Sequence, residues 1–151
     1  MDADLPTAEL DAIFRSNPIH ALLGIEVVEW APGSASVRMR ARDDQANVHG
    51  GVHGGVLFSL ADAAFEIASN SYGRVCVGLD TTCHYAAPAE PGDELTAIAT
   101  EMSRSRRAAS YRVEVQGADG RLRAWSLATA HRTERWHLGA ERWPEAWRDD
   151  H

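Results

Sequence analysis

Apolar and polar residues alternate over much of this chain, which is the pattern of strands with one buried face. The clearest example is YRVEV, in which Tyr111, Val113 and Val115 alternate with charged residues. Turns rich in glycine and proline separate the alternating segments, as expected between strands. The predicted strands cover residues 24–30, 34–42, 74–86, 93–102, 109–117 and 121–132.

Helical spacing appears in three other places. Residues 6–15 space their apolar side chains along one helical face, and a short helical turn follows Asn17-Pro18 and ends at Gly24. Residues 55–69 are apolar around most of the circumference, so we expect this helix to be surrounded by protein. One buried helix and six strands predict an α+β domain in which an antiparallel sheet curls around the helix.

Composition narrows the class of protein. The chain of 151 residues is 44% hydrophobic and carries a net charge of -7, which fits one globular domain and argues against a nucleic-acid binder. All basic residues are arginines, which excludes lysine chemistry. No apolar run approaches the ~20 residues that span a bilayer, and no signal-peptide pattern is present. We therefore expect a soluble cytoplasmic protein without a membrane partner.

A polar stripe runs along the long predicted helix. Ser59, Asp62, Glu66 and Ser69 share a narrow arc with Gly55 when projected at 100° per residue. This stripe could face water. Alternatively it lines a cleft, where partial burial and the neighbouring Glu66 would raise the pKa of Asp62 toward the range of a general base. Periodicity alone leaves both interpretations open.

The start of this helix is the second candidate feature. Gly54 and Gly55 carry no side chains, so we expect their N–H groups to be accessible to a phosphate or a developing oxyanion. Gly54 and Asp62 are eight residues apart, which is roughly 12 Å along a helix, too far to act on one carbonyl carbon. If both are catalytic, two antiparallel helices from two chains must build the site, and a dimer is the active unit.

The stretch NVHGGVHGGVLFSLADAAFEIASN resembles the signature of hotdog-fold acyl-CoA thioesterases of the phenylacetate-degradation (PaaI) type. The matching positions are Asn47, His53-Gly54-Gly55 and Leu60-Ala61-Asp62. The similarity covers about residues 17–133, so we expect one hotdog domain with residues 134–151 as a C-terminal extension. The resemblance implies a helix wrapped by an antiparallel sheet, and dimers that often form tetramers.

The same resemblance implies an activity and a role for each residue. The reaction would be hydrolysis of an acyl-CoA, with an aromatic, phenylacetyl-like acyl group, to the acid and CoA. Asp62 would activate water or attack the thioester, and the Gly54 N–H would hold the oxyanion, with Gly55 beside it at the substrate. Asn47 would position water or the thioester, and His53 would fix the loop. No cofactor is implied, because CoA is part of the substrate and product.

The CoA phosphates would need cations. Arg104, Arg106 and Arg107 cluster at a predicted turn between two strands, and guanidinium groups suit phosphate. Such turns are commonly just solvated. Because the chain is acidic overall and the family binds CoA phosphates near this turn, we favour phosphate binding.

Other chemistries and functions fit less well. His49 and His53 have the spacing of a metal pair, but the glycines between them favour a loop, and we predict no metal site. Ser59 lacks the G-x-S-x-G context of a serine hydrolase. A hotdog dehydratase or hydratase is one alternative function, but it would place a histidine at the substrate, whereas the helix carries Asp62. A non-catalytic acyl-CoA-binding module is another, and it would not need Asp62. The tail tryptophans are expected to pack on a surface or on another subunit.

Overall fold

The computed structural model describes residues 5–151. The helices are α1 (Thr7–Arg15), α2 (Pro18–Leu23), α3 (Gly54–Asn70) and α4 (Glu145–Asp150). The strands are β1 (Glu26–Ala31), β2 (Ser34–Arg40), β3 (Arg74–Tyr85), β4 (Glu94–Arg104), β5 (Ala108–Gly117) and β6 (Leu122–Trp136). All six form one antiparallel sheet in the order β1-β2-β4-β5-β6-β3, with α3 packed against it. The predicted α+β architecture is confirmed.

The core lies between α3 and the concave face of the sheet. Leu60, Ala64 and Ile67 of α3 are fully buried, and the alanines let the helix approach the strands closely. From the sheet side, the Tyr111 ring meets Phe65 edge-on at 5.5 Å between centroids. The alternating residues predicted to face inward do so. The buried apolar set from the strands comprises Val27, Ala35, Val37, Met39, Leu95, Ala97, Ala99, Ala109, Tyr111, Val113, Val115, Ala124, Ala128 and Ala130.

Strand β6 extends beyond the prediction, which ended it at residue 132. The strand continues to Trp136 because β3 begins directly opposite, where Arg74 pairs with Trp136 across a bulge. The Thr133 hydroxyl also donates to the Val75 carbonyl at 2.7 Å. The extra residues are therefore fixed by a partner strand that lies far away in the sequence.

The C-terminal segment packs on its own chain. Trp143 is 2% exposed, and its indole N–H donates to the His137 carbonyl at 2.7 Å. Its ring fills the space beside Gly73, whose φ of +85° and missing side chain both suit glycine. Trp147 donates to the Tyr72 carbonyl at 2.9 Å. The tail therefore covers the turn that follows α3.

Strand β3 forms one edge of the sheet. Over the described part of the chain it pairs with β6 alone, and its other side has no strand partner. Val77 is 50% exposed and Leu79 is 62% exposed on this strand. A 12-residue edge strand with exposed apolar side chains is a surface that proteins normally cover.

Candidate active site

His53 caps the start of α3. Its Nδ1 accepts a hydrogen bond from the Gly55 N–H at 2.9 Å, and its own N–H donates to the Gln45 carbonyl at 2.9 Å. The expectation that both glycine N–H groups are accessible is thus wrong for Gly55, because the imidazole accepts its hydrogen bond. Within residues 5–151 the Gly54 N–H donates to no protein acceptor. The helix start therefore offers one free donor, at its positive end.

Tyr85 lies against this donor. A Cβ placed on Gly54 would sit 3.1 Å from the Tyr85 ring, closer than normal van der Waals contact. The ring is 56% exposed, at the last residue of β3. Sequence reasoning missed Tyr85, because only the folded sheet brings the end of β3 to the start of α3.

The loop before α3 places Asn47 opposite Gly51. The Asn47 N–H donates to the Gly51 carbonyl at 2.7 Å, and an isolated bridge joins Ala46 to Val52. The side-chain Oδ1 of Asn47 accepts from the His49 N–H at 2.8 Å. The amide Nδ2 has no acceptor among the described residues and is free to donate. Asn47 therefore lies in the loop that leads into the helix start, close in sequence to Gln45, whose carbonyl accepts from the His53 N–H.

Asp62 lies two turns further along α3. It shares a small cavity of about 90 Å³ with Ser59, His20 and Glu66. Neighbouring atoms displace part of its hydration and, with the Glu66 charge, raise the pKa of Asp62, while His20 acts in the opposite direction. The predicted direction of this shift is confirmed.

The polar stripe is only partly as predicted. Asp62 and Glu66 remain accessible to solvent in a concave groove, so the stripe combines features of both interpretations. Ser69 does not belong to it, because this side chain is 4% exposed and donates to the Glu66 carbonyl. A single chain also does not bring Asp62 to the Gly54 N–H, since both lie on one straight element eight residues apart, roughly 12 Å.

The predicted arginine turn connects β4 to β5, but its members differ. Arg104 is held by Glu101 at 3.3 Å and lies 4.3 Å over the Tyr72 ring, so it has a structural role. Arg106 is 75% exposed and reaches Glu134 at 3.5 Å. Arg107 is exposed and does not line the cavity that Arg104 and Arg106 share.

That cavity, of about 580 Å³, contains two buried arginines that the sequence did not reveal. Arg74 is 8% exposed and Arg132 is 5% exposed, and both donate to the backbone oxygen of His151. Burial and the nearby Arg104 and Arg74 lower the pKa of Arg132. Arginines usually lie at the surface, so no local pattern marks these two as buried.

Two further properties of residues 5–151 concern metal ions and membranes. No group of three or more histidine, cysteine or acidic side chains in this range is placed to hold a metal ion. None of the helices in this range combines the length and apolar character needed to cross a bilayer.

Residues 49–124 match the family model described as Thioesterase superfamily. The chain is 32% identical over 121 residues to acyl-coenzyme A thioesterase PaaI of Escherichia coli, covering 80% of this chain and 86% of that protein. It is 41% identical to a mutant form of the phenylacetic acid degradation protein PaaI from Thermus thermophilus, with a TM-score of 0.75 over 78% of this chain and all of that one.

A more distant solved structure is smu.793 from Streptococcus mutans bound to acetyl CoA. That protein is 25% identical, with a TM-score of 0.70, over 72% of this chain and 88% of its own. The order of strands around α3, the Asn47 to Asp62 signature and these similarities agree with one another. The chain therefore belongs to the thioesterase superfamily, as a hotdog-fold thioester hydrolase of the PaaI type.

Proposed function

We propose that this protein hydrolyses an acyl-CoA to a carboxylic acid and CoA, at sites that two copies of the chain build together. The observation that carries the proposal is the free Gly54 N–H at the start of the helix that also bears Asp62, a carboxylate with a raised pKa. The acyl-CoA activity named for the Escherichia coli relative supports the substrate class. Water is the second substrate, and no cofactor is needed.

The helix start supplies the oxyanion site. The Gly54 N–H donates to the thioester oxygen as negative charge develops there, and the helix dipole adds to this stabilisation. The free Nδ2 of Asn47 positions the thioester or the water. His53 keeps the helix start in place through its bond to Gly55, whose missing side chain leaves room for the imidazole, since a Cβ there would lie 3.1 Å from His53 Nδ1.

Asp62 supplies the base or the nucleophile. As a base it removes a proton from water while the water oxygen bonds to the thioester carbon, and the C–S bond then breaks to release the thiolate. As a nucleophile, an Asp62 oxygen bonds to the thioester carbon and the C–S bond breaks to release the thiolate. Water then cleaves the resulting mixed anhydride into the acid and free Asp62. A raised pKa suits the first role, since it brings the carboxylate closer to the working pH.

The uncovered edge of β3 supports a dimer. Antiparallel pairing of two β3 strands across a two-fold axis would continue the sheet and cover Val77 and Leu79. The same operation lays two α3 helices side by side in opposite directions. Asp62 of one chain then approaches Gly54 of the other. A tetramer made from two such dimers follows from the family resemblance.

The two ends of the substrate have candidate contacts. For an aromatic, phenylacetyl-like acyl group, support comes from the relative described as a phenylacetic acid degradation protein and from Tyr85, an aromatic ring beside Gly54. For the CoA phosphates, Arg106 and Arg107 present exposed guanidinium groups, and Arg104 adds charge to the same turn.

A thiol-release assay tests the function. Wild type and Asp62→Asn are incubated with phenylacetyl-CoA, benzoyl-CoA and short and long fatty acyl-CoAs, and free CoA is followed. We expect release by wild type, fastest with the aryl substrates, and a loss of about 10²–10⁴-fold in the variant. Binding without release would indicate a non-catalytic acyl-CoA-binding module, and equal rates in both proteins would exclude Asp62 from the chemistry.

A further inference from the structure

The small cavity beside Asp62 has walls from two helices. One wall belongs to α2 and includes His20; the other belongs to α3 and presents Ser59, Asp62 and Glu66. Asp62 and Glu66 are one helical turn apart, so their carboxylates are neighbours on the same face. The cavity therefore joins two acidic groups to one imidazole.

His20 is buried without hydrogen bonds. Its side chain is 4% exposed, and neither ring nitrogen has a hydrogen-bond partner among the described residues. The nearest charged atom is Glu66 Oε2, 3.5 Å from Nε2. Glu66 is therefore the acidic side chain that faces the His20 ring.

Glu66 is also held from the opposite side. The Asn17 amide Nδ2 donates to both carboxylate oxygens, at 3.1 and 2.9 Å. Asn17 is itself fixed, because its Oδ1 caps α2 by accepting from the Ile19 N–H at 3.2 Å. In contrast, the Asp62 carboxylate accepts no hydrogen bond from any residue in the range 5–151. The two acids are therefore unequal partners.

We propose that Glu66, held in place by Asn17, is a positioning residue whose carboxylate faces Asp62 and favours proton transfer from water to it. A neighbouring carboxylate favours the protonated form of Asp62. The two hydrogen bonds from Asn17 keep the Glu66 side chain in place on the helix face that it shares with Asp62. This inference rests on the proposed hydrolase function, because it assigns the base for that reaction.

The other charged groups around the pair fit this assignment. His137, from the segment after β6, also faces Glu66, and its Nε2 lies 2.9 Å from Asn70 Oδ1. Burial lowers the pKa of His137, so it is neutral at pH 7 and adds no charge there. The pKa of Asp62 is then raised first by burial and next by Glu66, and it is lowered by His20.

The test combines Glu66→Gln with His20→Gln. Glu66→Gln keeps the shape and one of the two acceptor oxygens for Asn17 but removes the carboxylate, so Asp62 should titrate at lower pH. Asp62 is then a weaker base, and kcat should fall about tenfold, a part of the 10²–10⁴-fold contribution of a general base. His20→Gln should move the titration of Asp62 in the opposite direction. Glu26→Gln, an exposed acid on β1, is the matched control and should change neither property.

Two readouts separate the possible failures. Carbon-13 NMR of the side-chain carboxyls follows Asp62 and Glu66 directly and needs no activity, while the acidic limb of kcat/KM against pH follows the base in the reaction. An unchanged Asp62 titration in Glu66→Gln, or first protonation at Glu66, overturns the pairing. Wild-type protein that titrates as described but releases no thiol overturns the hydrolase function and, with it, the catalytic purpose of the pair.

Discussion

Replacing Gly54 with proline would delete the proposed oxyanion donor without dismantling α3. Gly54 is the first helical residue, where proline is favoured because the N–H has no intrahelical partner. The preceding His53 has φ -62° and ψ 135°, the extended conformation that a residue before proline adopts. The substitution therefore removes one hydrogen and keeps the path of the backbone.

The expected loss of activity comes from replacing the N–H donor with the proline Cδ, which cannot donate a hydrogen bond. One oxyanion-hole donor is typically worth about 10²–10³ in kcat, or roughly 2.7–4 kcal/mol. The new Cβ would lie 3.1 Å from the Tyr85 ring, but that ring is 56% exposed and can turn away. Gly54→Ala adds the same Cβ and keeps the N–H, so it is the matched control for this contact.

The stability of both variants should change little. Alanine and proline each restrict the unfolded chain and stabilise the protein by about 0.4–1 kcal/mol, which offsets the displacement of Tyr85. We therefore expect unfolding free energies within about 1 kcal/mol of wild type. This similarity would separate a catalytic loss from a folding defect.

The assay is thiol release from the best acyl-CoA of the panel, alongside urea unfolding of the three proteins. We expect kcat of Gly54→Pro to lie at least about 10²-fold below that of Gly54→Ala. Rates within about threefold of each other, in two proteins of equal stability, would show that the Gly54 N–H does not stabilise the oxyanion, and the reasoning would fail.

Three further predictions concern assembly, the tail and pH. Co-refolding equal amounts of Asp62→Asn and Gly54→Pro should restore about a quarter of wild-type activity. Half of the dimers are then mixed, and each mixed dimer has one intact site of two. If each site lay within one chain, the mixture would have no activity beyond that of the two variants. Gly73→Ala should lower the urea-unfolding free energy by about 1–3 kcal/mol more than Gly92→Ala, since both have positive φ but only Gly73 meets Trp143. Asp62→Asn should raise the free energy of unfolding at pH 7 but not below about pH 4. Because the pKa of Asp62 is raised in the folded state, wild-type stability falls as the pH rises from the unfolded-state pKa through the folded-state pKa. Asparagine does not ionise, so the variant does not lose this stability.

The regular elements follow from local patterns. Alternation places Val37 and Met39 inward because side chains on a strand change faces at every residue. The apolar circumference of residues 55–69 likewise predicts that α3 is buried. The end of β6 could not be predicted in this way, because residues after Arg132 are held by β3, which lies far earlier in the chain.

The residues of the candidate site likewise fall into those that local sequence predicts and those that only the fold brings together. The glycines, His53 and Asp62 lie on one continuous segment, so their spacing predicts where they fall along a helix. Tyr85 and His20 reach this segment only through tertiary packing, and no local pattern marks them. The Gly55 N–H was misjudged because histidine is not a usual helix cap, and its orientation toward that N–H is visible only in three dimensions.

The packing of the C-terminal segment gives the protein its own optical reporter. Trp143 is buried and Trp147 stacks on His151 with ring centroids 3.9 Å apart, so both indoles are shielded while the tail is docked. Lifting the tail would expose both to water and shift their fluorescence emission to longer wavelength. Undocking of the tail from the buried arginines would therefore be visible in solution without an added label.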